Sequence, residues 1–585
     1  MKLKTKTTVL TKSTPETLAP AAPATGLAYW LPSLLALLGA ALLWLGWPVH
    51  PAPLAALLLV AWVPYLRMEQ LLVQRGASGW KVFRYTYLLL VLWNAFTTWW
   101  VSFSTLGGGI AAVVLNALLM CLPTMAFYHT KRLAGPRLGY ISLPIYWIAF
   151  EQLHLHWDLT WPWLTLGNGF AQANQWVQWY EYTGFLGGSL WMWAANILVF
   201  LSIKNYKLKI KNYGAADLVS QPTASNRNFL IFNSSFLIAA GLAILLPAAL
   251  SYWIGATYQE KGKTAEVVVV QPNVDPFLEK FSSNPNFIPY DQQLSRLITL
   301  TEQQLTPQTK LVLWPETALE EVYSEATFEM NPKVMRLRQW LTAHPGVELI
   351  TGITSIRMYG PTKETATPTA RFRDDLGYYD IFNTAVHFPG TTGTATFYHK
   401  SRLVPGVEKV PVVLTKLIAN IDLGGVVGSY GSQEERTVFH TTDPSLRLGP
   451  SICYESVYGD FMAQYVKNGA TLLGIITNDG WWSDSPGHLQ HLQYATLRSI
   501  ETRRDIARSA NTGISGFINQ KGEITQQTNW WVQAAQRATV HLNDEKTFYV
   551  QHGDLIGPTA QVLAVLLLGF VVVRAFTNRK TLLSS

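Results

Sequence analysis

Residues 229–271 read FLIFNSSFLIAAGLAILLPAALSYWIGATYQEKGKTAEVVVVQ, and the change of character inside that stretch decides the architecture. From Phe229 to Ala256 there is no charged side chain. The run is long enough for a helix to cross a bilayer core, which takes roughly 20 residues. Glu260, Lys261, Lys263 and Glu266 follow, and Ala265–Val270 has the β-branched run of a buried strand. A membrane segment gives way here to a folded, charged domain.

Upstream, the same apolar signature recurs at Gly26–Val49, Tyr85–Gly107, Gly107–His129 and Tyr182–Ile203. Weaker versions lie at Pro51–Leu66 and at Gly139–Trp157, which contains Glu151. Downstream, Ile556–Val573 stands alone. This predicts eight spans, seven before the charged domain and one after it. Only 14% of the 585 residues are charged, against about 25% in soluble chains. The 23 Trp residues suit the membrane–water interface.

The net charge of +8 is explained by position. Lys2, Lys4, Lys6 and Lys12 precede the first span. Arg67, Arg75, Lys81 and Arg84 follow the second, and Lys131, Arg132 and Arg137 follow the fourth. Lys204, Lys207, Lys209, Lys211 and Arg227 follow the sixth, and Arg574, Arg579 and Lys580 follow the last. The alternate loops, His156–Glu181 among them, have neither Lys nor Arg. Positive loops stay cytoplasmic, so the basic balance reads as membrane topology and not as nucleic-acid binding. The expected organisation is a flexible cytoplasmic tail at 1–25, transmembrane helices 1–7 over 26–256, a periplasmic domain at 257–553, an eighth helix at 554–576 and a cytoplasmic tail at 577–585. With two cysteines, Cys121 and Cys453, neither a disulfide framework nor a cysteine-rich zinc site is expected.

Within 257–553, short β-rich runs recur at Lys310–Trp314, Glu348–Thr354, Ile381–Phe388, Thr394–His399, Leu448–Cys453, Thr471–Thr477 and Gly513–Asn519. Helical patterns intervene at Tyr290–Leu305, Pro332–Thr342 and His488–Arg508, which predicts a layered α/β domain. Three strands run into a reactive side chain: Glu316, Lys400 and Cys453. Singly each has an ordinary reading, as a helix cap, a solvated strand-end charge and a small buried hydrophobe. Together, at one end of a sheet, they offer a base, an oxyanion partner and a nucleophile.

The segments Leu313-Trp314-Pro315-Glu316, Tyr398-His399-Lys400 with Leu403-Val404-Pro405, and Ser451-Ile452-Cys453-Tyr454-Glu455 resemble, in that order, the Glu, Lys and Cys motifs of the carbon–nitrogen hydrolase (nitrilase) superfamily. Asn478-Asp479 and His488 through Arg508 resemble the segment that follows its Cys motif. With spans on both sides and Trp161-Pro162-Trp163-Leu164, the layout is similar to the bacterial apolipoprotein N-acyltransferase family.

The resemblance implies a polytopic α-helical membrane domain plus an α/β nitrilase-like α-β-β-α sandwich in the bacterial inner membrane. It implies transfer of a fatty acyl chain from a phospholipid, phosphatidylethanolamine by preference, to the N-terminal amine of a diacylated apolipoprotein. A Cys453 thioester would be the intermediate, with Glu316 as base and Lys400 at the oxyanion. Glu408, Tyr454 and Glu455 would be supporting residues, and no metal or organic cofactor is implied. The family's aromatic Trp after the first strand is missing, and Phe281 is the nearest substitute. The alternatives are a membrane-tethered amidase hydrolysing a small amide, and a non-enzymatic scaffold or transporter.

Overall fold

The computed structural model describes residues 26–220, 224–390, 393–411 and 430–583. The expected tail at 1–25 lies outside the described residues.

The membrane part comprises α1 (Leu27–Leu45), α2 (Val63–Gln74), α3 (Gly79–Thr98), α4 (Leu106–Ala134), α5 (Pro136–His156), the short α6 (Tyr180–Thr183), α7 (Leu186–Ser220) and α8 (Ala224–Thr257). Among the described residues, six segments are long and apolar enough to cross a membrane by length and composition: Ala28–Leu45, Ala52–Gln74, Leu106–Ala134, Leu186–Lys204, Phe236–Thr257 and Ile556–Thr577. The chain is thus a multi-pass membrane protein. Two of the eight expected spans, α3 and α5, are helices but are not among these six. The third expected span is also shifted: its helix ends at Thr98, and a 3-10 turn takes over at Trp99–Phe103.

Asn94, Asn116, Glu151 and His154 of these helices are buried against protein. Asn116 donates to Asn94 Oδ1 at 2.7 Å, and His154 Nε2 sits 2.8 Å from Asn116 Oδ1. Glu151 accepts from Trp147 Nε1 at 2.9 Å and from the Leu166 amide at 2.8 Å. Such pairing is what lets polar groups persist at membrane depth.

The domain that follows has fourteen described strands in two sheets. In chain order they are β1 (Lys263–Gln271), β2 (Thr309–Leu313), β3 (Leu319–Ser324), β4 (Glu348–Gly360), β5 (Arg371–Arg373), β6 (Gly377–Phe388), β7 (Thr396–His399), β8 (Phe439–His440), β9 (Arg447–Ile452), β10 (Leu472–Thr477), β11 (Ile506–Ala510), β12 (Gly516–Ile518), β13 (Ile524–Gln527) and β14 (Ala534–Leu542). One sheet runs β14-β1-β2-β4-β6-β5, with β3 on β4 and β7 on β6; the other runs β13-β12-β11-β10-β9-β8. Helices α9 (Tyr290–Glu302) and α10 (Pro332–Ala343) accompany the first sheet, and α11 (Gly459–Lys467) and α12 (Pro486–Thr502) the second. This is the four-layer nitrilase fold. The short α13 (Phe548–His552) and the long α14 (Ile556–Leu583) end the described chain.

The expected helix from His488 to Arg508 is corrected: α12 stops at Thr502 because Arg503 adopts a left-handed φ of 50°, and Ile506–Ala510 is strand β11. That strand is parallel to β10 and buried throughout. A run of that kind shows no alternation to separate it from a buried helix.

Helix α12 joins the two parts. Gln490 donates to Thr97 O at 2.8 Å, and Tyr494 donates to Trp163 O at 2.7 Å. Glu501 accepts from the Phe185 amide at 2.9 Å and from Arg498 Nη2 at 3.0 Å, with all of these groups buried. Breaking a buried pair by removing one partner costs about 3–5 kcal/mol. Arg498→Met is therefore expected to lower the thermal unfolding midpoint of the purified protein clearly, with Arg498→Met/Glu501→Gln recovering part of the loss. An unchanged midpoint in the single variant would show that Arg498 does not support the Glu501–Phe185 joint between the two parts.

Candidate active site

The site is built where both sheets end. Strand β2 finishes at Leu313, and Trp314-Pro315 carries the chain to Glu316. The turn passes so close to β4 that a Cβ on Gly352 would stand 2.4 Å from the Thr317 nitrogen, so only glycine fits there. Strand β7 pairs with β6 and ends at His399, leaving Lys400 at its tip. Strand β9 lies between β8 and β10 and ends at Ile452. Cys453 then turns with φ of 50°, a conformation few non-glycine residues adopt and one that recurs at functional sites.

Lys400 is buried, 1% exposed. Its Nζ lies 2.8 Å from Glu408 Oε1 and 3.2 Å from Glu316 Oε1. Asn383 on β6 donates to the same two oxygens, at 2.7 Å to Glu316 and 3.1 Å to Glu408. Burial alone would lower the Lys400 ammonium, but Glu316 and Glu408 outweigh it and hold the group well above its ordinary value. Glu408 also closes its own turn: its Oε2 accepts from the Val404 amide at 2.9 Å. Gly406 there has φ of 80°, so the apolar stretch Leu403-Val404-Pro405-Gly406-Val407 is a compact hairpin folded back onto the carboxylate.

Glu455 links the two sheets. Its Oε2 accepts from the Ile452 amide at 2.8 Å. Its Oε1 accepts from Tyr398 OH at 2.7 Å and from the Ser401 and Arg402 amides at 2.6 and 3.1 Å. One buried carboxylate thus fixes the Lys400 strand end against the Cys453 turn. Tyr454 points elsewhere: its hydroxyl donates to Thr160 O at 3.1 Å, and its ring lies 6.0 Å from that of Trp163. Trp163 belongs to the Trp161-Pro162-Trp163-Leu164 loop and also packs on Trp100 and Trp482. Phe281 lies 6.1 Å from the Trp481 ring, on a loop whose preceding Lys280 reaches Thr317 Oγ1 at 2.6 Å and Glu320 at 3.2 Å.

Burial raises the Cys453 thiol far above its ordinary value; the Glu316 carboxylate adds to this and the Lys400 ammonium opposes it. The resting thiol therefore keeps its proton. A nucleophilic step there needs a base acting in the same step, and Glu316 is the nearby carboxylate.

The structure brings together Glu316, Lys400, Glu408, Cys453 and Glu455. Phe281 sits in the adjoining loop and Tyr454 on the membrane side. Sequence reasoning missed Asn383, which sits mid-strand in no motif, and the Lys280–Glu320 pair. It also missed the buried group below the Cys453 turn. There His491 Nε2 is 3.0 Å from the Cys453 carbonyl, and its Nδ1 is 2.9 Å from Asp479, which Arg508 holds at 2.7 Å. The only signal was that Asp479, His491 and Arg508 fall inside the segment after the Cys motif.

Residues 267–549 match the family model described as Carbon-nitrogen hydrolase, and residues 21–198 match the one described as Apolipoprotein N-acyltransferase N-terminal domain. The chain belongs to the apolipoprotein N-acyltransferase family. The relative of that name from Chlorobaculum tepidum is 29% identical, over 90% of this chain and 93% of its own. Those from Pseudomonas aeruginosa strain PAO1 and Azotobacter vinelandii are each 28% identical, over 82% and 94% of this chain and 86% and 96% of theirs. The protein is thus an acyltransferase of the carbon–nitrogen hydrolase superfamily, and the amidase reading gives way.

The raised thiol has a measurable consequence. In a Cys121→Ala background, iodoacetamide modification of Cys453 should keep accelerating as pH rises through 9 and still be rising at 10. Lys400→Met removes a neighbouring charge that favours the thiolate, so it should slow modification at every pH. A rate that levels off below pH 8 would contradict the buried-thiol picture.

Proposed function

We propose that this protein transfers a fatty acyl chain from a membrane phospholipid, phosphatidylethanolamine by preference, to the N-terminal amine of the diacylglyceryl-cysteine of an apolipoprotein. The observation that carries the reading is the convergence of Glu316, Lys400 and Cys453 at one end of the two sheets, against membrane helices. Glu316 takes the Cys453 proton as Sγ adds to the ester carbonyl. Lys400 and a backbone N–H near Tyr454 stabilise the oxyanion, where losing a single donor typically costs about 10²–10³ in rate. Collapse breaks the ester C–O bond, Glu316 returns its proton to the leaving lysophospholipid oxygen, and Cys453 keeps the acyl group as a thioester. The lipoprotein amine then adds to that carbonyl and gives a proton to Glu316. The thiolate departs and takes the proton back. Glu408 and Glu455 position Lys400, Phe281 serves as an aromatic wall, and Tyr454 docks the nucleophile turn against the membrane loops.

The membrane concerned is the bacterial inner membrane, with residues 257–553 on its periplasmic side. Reporters that are active only outside the cytoplasm should therefore respond when fused near residue 300 and stay silent at 215; the reverse pattern would overturn this orientation. For the chemistry, wild-type protein mixed with phospholipid and no acceptor should gain the mass of one acyl chain, removable by neutral hydroxylamine. Cys121→Ala should gain it too, whereas Cys453→Ala should not, and Cys453→Ser should lose turnover while remaining folded. An adduct that persists in Cys453→Ala, or never forms in wild type, would refute the thioester mechanism.

A further inference from the structure

Strands β9 and β10 lie side by side, and β11 runs parallel on the far side of β10. β9 leads to Cys453, β10 leads through Asn478 to Asp479, and β11 carries Arg508. Helix α12 places His491 against this end of the sheet. His491, Asp479 and Arg508 have no exposed surface. The Trp163 and Trp482 rings stand 6.0 and 5.6 Å from the imidazole. None of the three buried groups takes part in the transfer steps set out for Glu316, Lys400 and Cys453.

Their hydrogen bonds form a chain. Arg508 Nη2 donates to Asp479 Oδ2 at 2.7 Å, and Thr477 Oγ1 donates to Asp479 Oδ1 at 2.9 Å. His491 Nδ1 is 2.9 Å from the same Oδ1, with Arg508 Nη2 3.1 Å from that nitrogen. His491 Nε2 lies 3.0 Å from the Cys453 carbonyl oxygen and 2.9 Å from Ser456 Oγ, which itself donates to that carbonyl at 2.8 Å. A carbonyl oxygen only accepts, so Nε2 carries a proton and donates to it. Burial alone would raise the Asp479 carboxyl, but Arg508 and His491 outweigh it and hold it well below its ordinary value. An anion therefore stands behind the ring. Buried ionic groups are a poor way to hold a core together, because apolar side chains of similar volume serve as well. What sets this chain apart is that it ends on the backbone of the nucleophile.

The peptide joining Cys453 to Tyr454 is trans, so its C=O and N–H point in opposite directions. With the carbonyl turned to His491, the Tyr454 N–H points away from α12. In the 3-10 turn Cys453–Val457 that amide precedes the first internal hydrogen bond, so the turn leaves it for another acceptor. Linked hydrogen bonds strengthen one another by about 10–30% each. A donor on the carbonyl draws electron density from the amide nitrogen and makes its N–H a better donor.

We propose that His491, backed by Asp479, is a positioning residue for the oxyanion: it holds and polarises the Cys453–Tyr454 peptide so that the Tyr454 N–H donates to the oxygen of the tetrahedral intermediate. Ser456 assists on the same carbonyl. The inference rests on the acyl-transfer reading and adds these residues to it. As Sγ adds to the ester carbonyl, the π pair moves onto oxygen and the hydrogen bond from Tyr454 tightens. His491 keeps its protons throughout; proton transfer stays with Glu316, Cys453 and the leaving and entering groups. The pull counts most when oxygen carries negative charge, so it acts on turnover and not on lipid binding.

The test compares His491→Asn with His491→Gln in the full chain in detergent. The Asn amide can stand where Nδ1 does and keep a donor for Asp479, but it does not reach the Cys453 carbonyl. The longer Gln brings its amide to the place of Nε2. With phosphatidylethanolamine as donor and no acceptor, His491→Asn should slow adduct formation at saturating lipid about tenfold, short of the 10²–10³ that losing a whole oxyanion donor costs. The half-saturating lipid concentration should not change, and His491→Gln should recover most of the rate. With the acyl carbonyls labelled with carbon-13, difference infrared spectroscopy reads the thioester C=O stretch of the adduct. It should move to higher frequency in His491→Asn and in Ser456→Ala, and return in His491→Gln. Alkylation of Cys453 by iodoacetamide, in the Cys121→Ala background, forms no oxyanion and should keep its rate in these variants. An unmoved stretch in His491→Asn, or alkylation slowed as much as acylation, overturns the proposed role. Should His491→Asn not fold, the stretch in Ser456→Ala decides in its place. A wild type that forms no adduct sinks the acyl-transfer reading and this inference with it, whereas a normal adduct with an unmoved stretch sinks the inference alone.

Discussion

The buried ammonium of Lys400 is the constraint around which the catalytic domain is arranged. Moving one such ion out of water costs several kcal/mol even after relaxation, and only well-placed partners offset it. Here those partners are Glu316 at the end of β2 and Glu408 in the following hairpin, with Asn383 on β6 donating to both. Each comes from a different segment of the domain, so none of these pieces can drift without stranding a charge. The same group bears on the Cys453 thiol: Lys400 opposes what burial and Glu316 do to it. Glu455 carries the constraint across to the second sheet through three hydrogen bonds to the Lys400 strand end and one to the Cys453 turn.

The links between domain and membrane helices differ in strength from place to place. Around α12 they are buried, through Glu501–Phe185, Gln490–Thr97 and Tyr494–Trp163. At the far end of the Lys400 hairpin the link is Lys409–Asp158 at 3.1 Å, with both side chains more than a quarter exposed. An exposed pair of that kind contributes at most about 1 kcal/mol. One side of the site is therefore welded to the membrane part and the other is only latched, which suits the proposed transfer between large lipid-anchored molecules.

Much of this was legible in the sequence, for definite reasons. The apolar runs and basic loops are bulk signals that survive any local irregularity. Glu316, Lys400 and Cys453 each end a strand, and strand ends are visible as hydrophobic runs stopping at a charge or thiol. What was hidden depends on pairing between distant segments. Asn383 is one polar residue in a long strand, and its meaning comes from carboxylates 67 and 25 positions away. Strand β11 hid inside a helical pattern because every residue in it is buried. Strand β14 carries Gln536, Arg537 and Thr539 among small residues and reads as polar loop until its partner β1 is known. The role of Tyr454 was hidden too, because its hydroxyl partner at Thr160 lies on the membrane side of the chain.

That last strand has a consequence for how the protein is made. β14 pairs antiparallel with β1 along its whole length, from Lys263 opposite Leu542 to Gln271 opposite Ala534. The first strand of the domain thus waits for the last. Until residues near 542 have left the ribosome, β1 has a bare edge carrying four consecutive valines, Val267–Val270. Such an edge is a template for wrong pairing, and contacts of long sequence separation form slowly. The membrane helices are synthesised first and hold that edge beside the bilayer at the end of α8. Biogenesis thereby becomes a race between sheet closure and aggregation, run by a chain already tethered at one end.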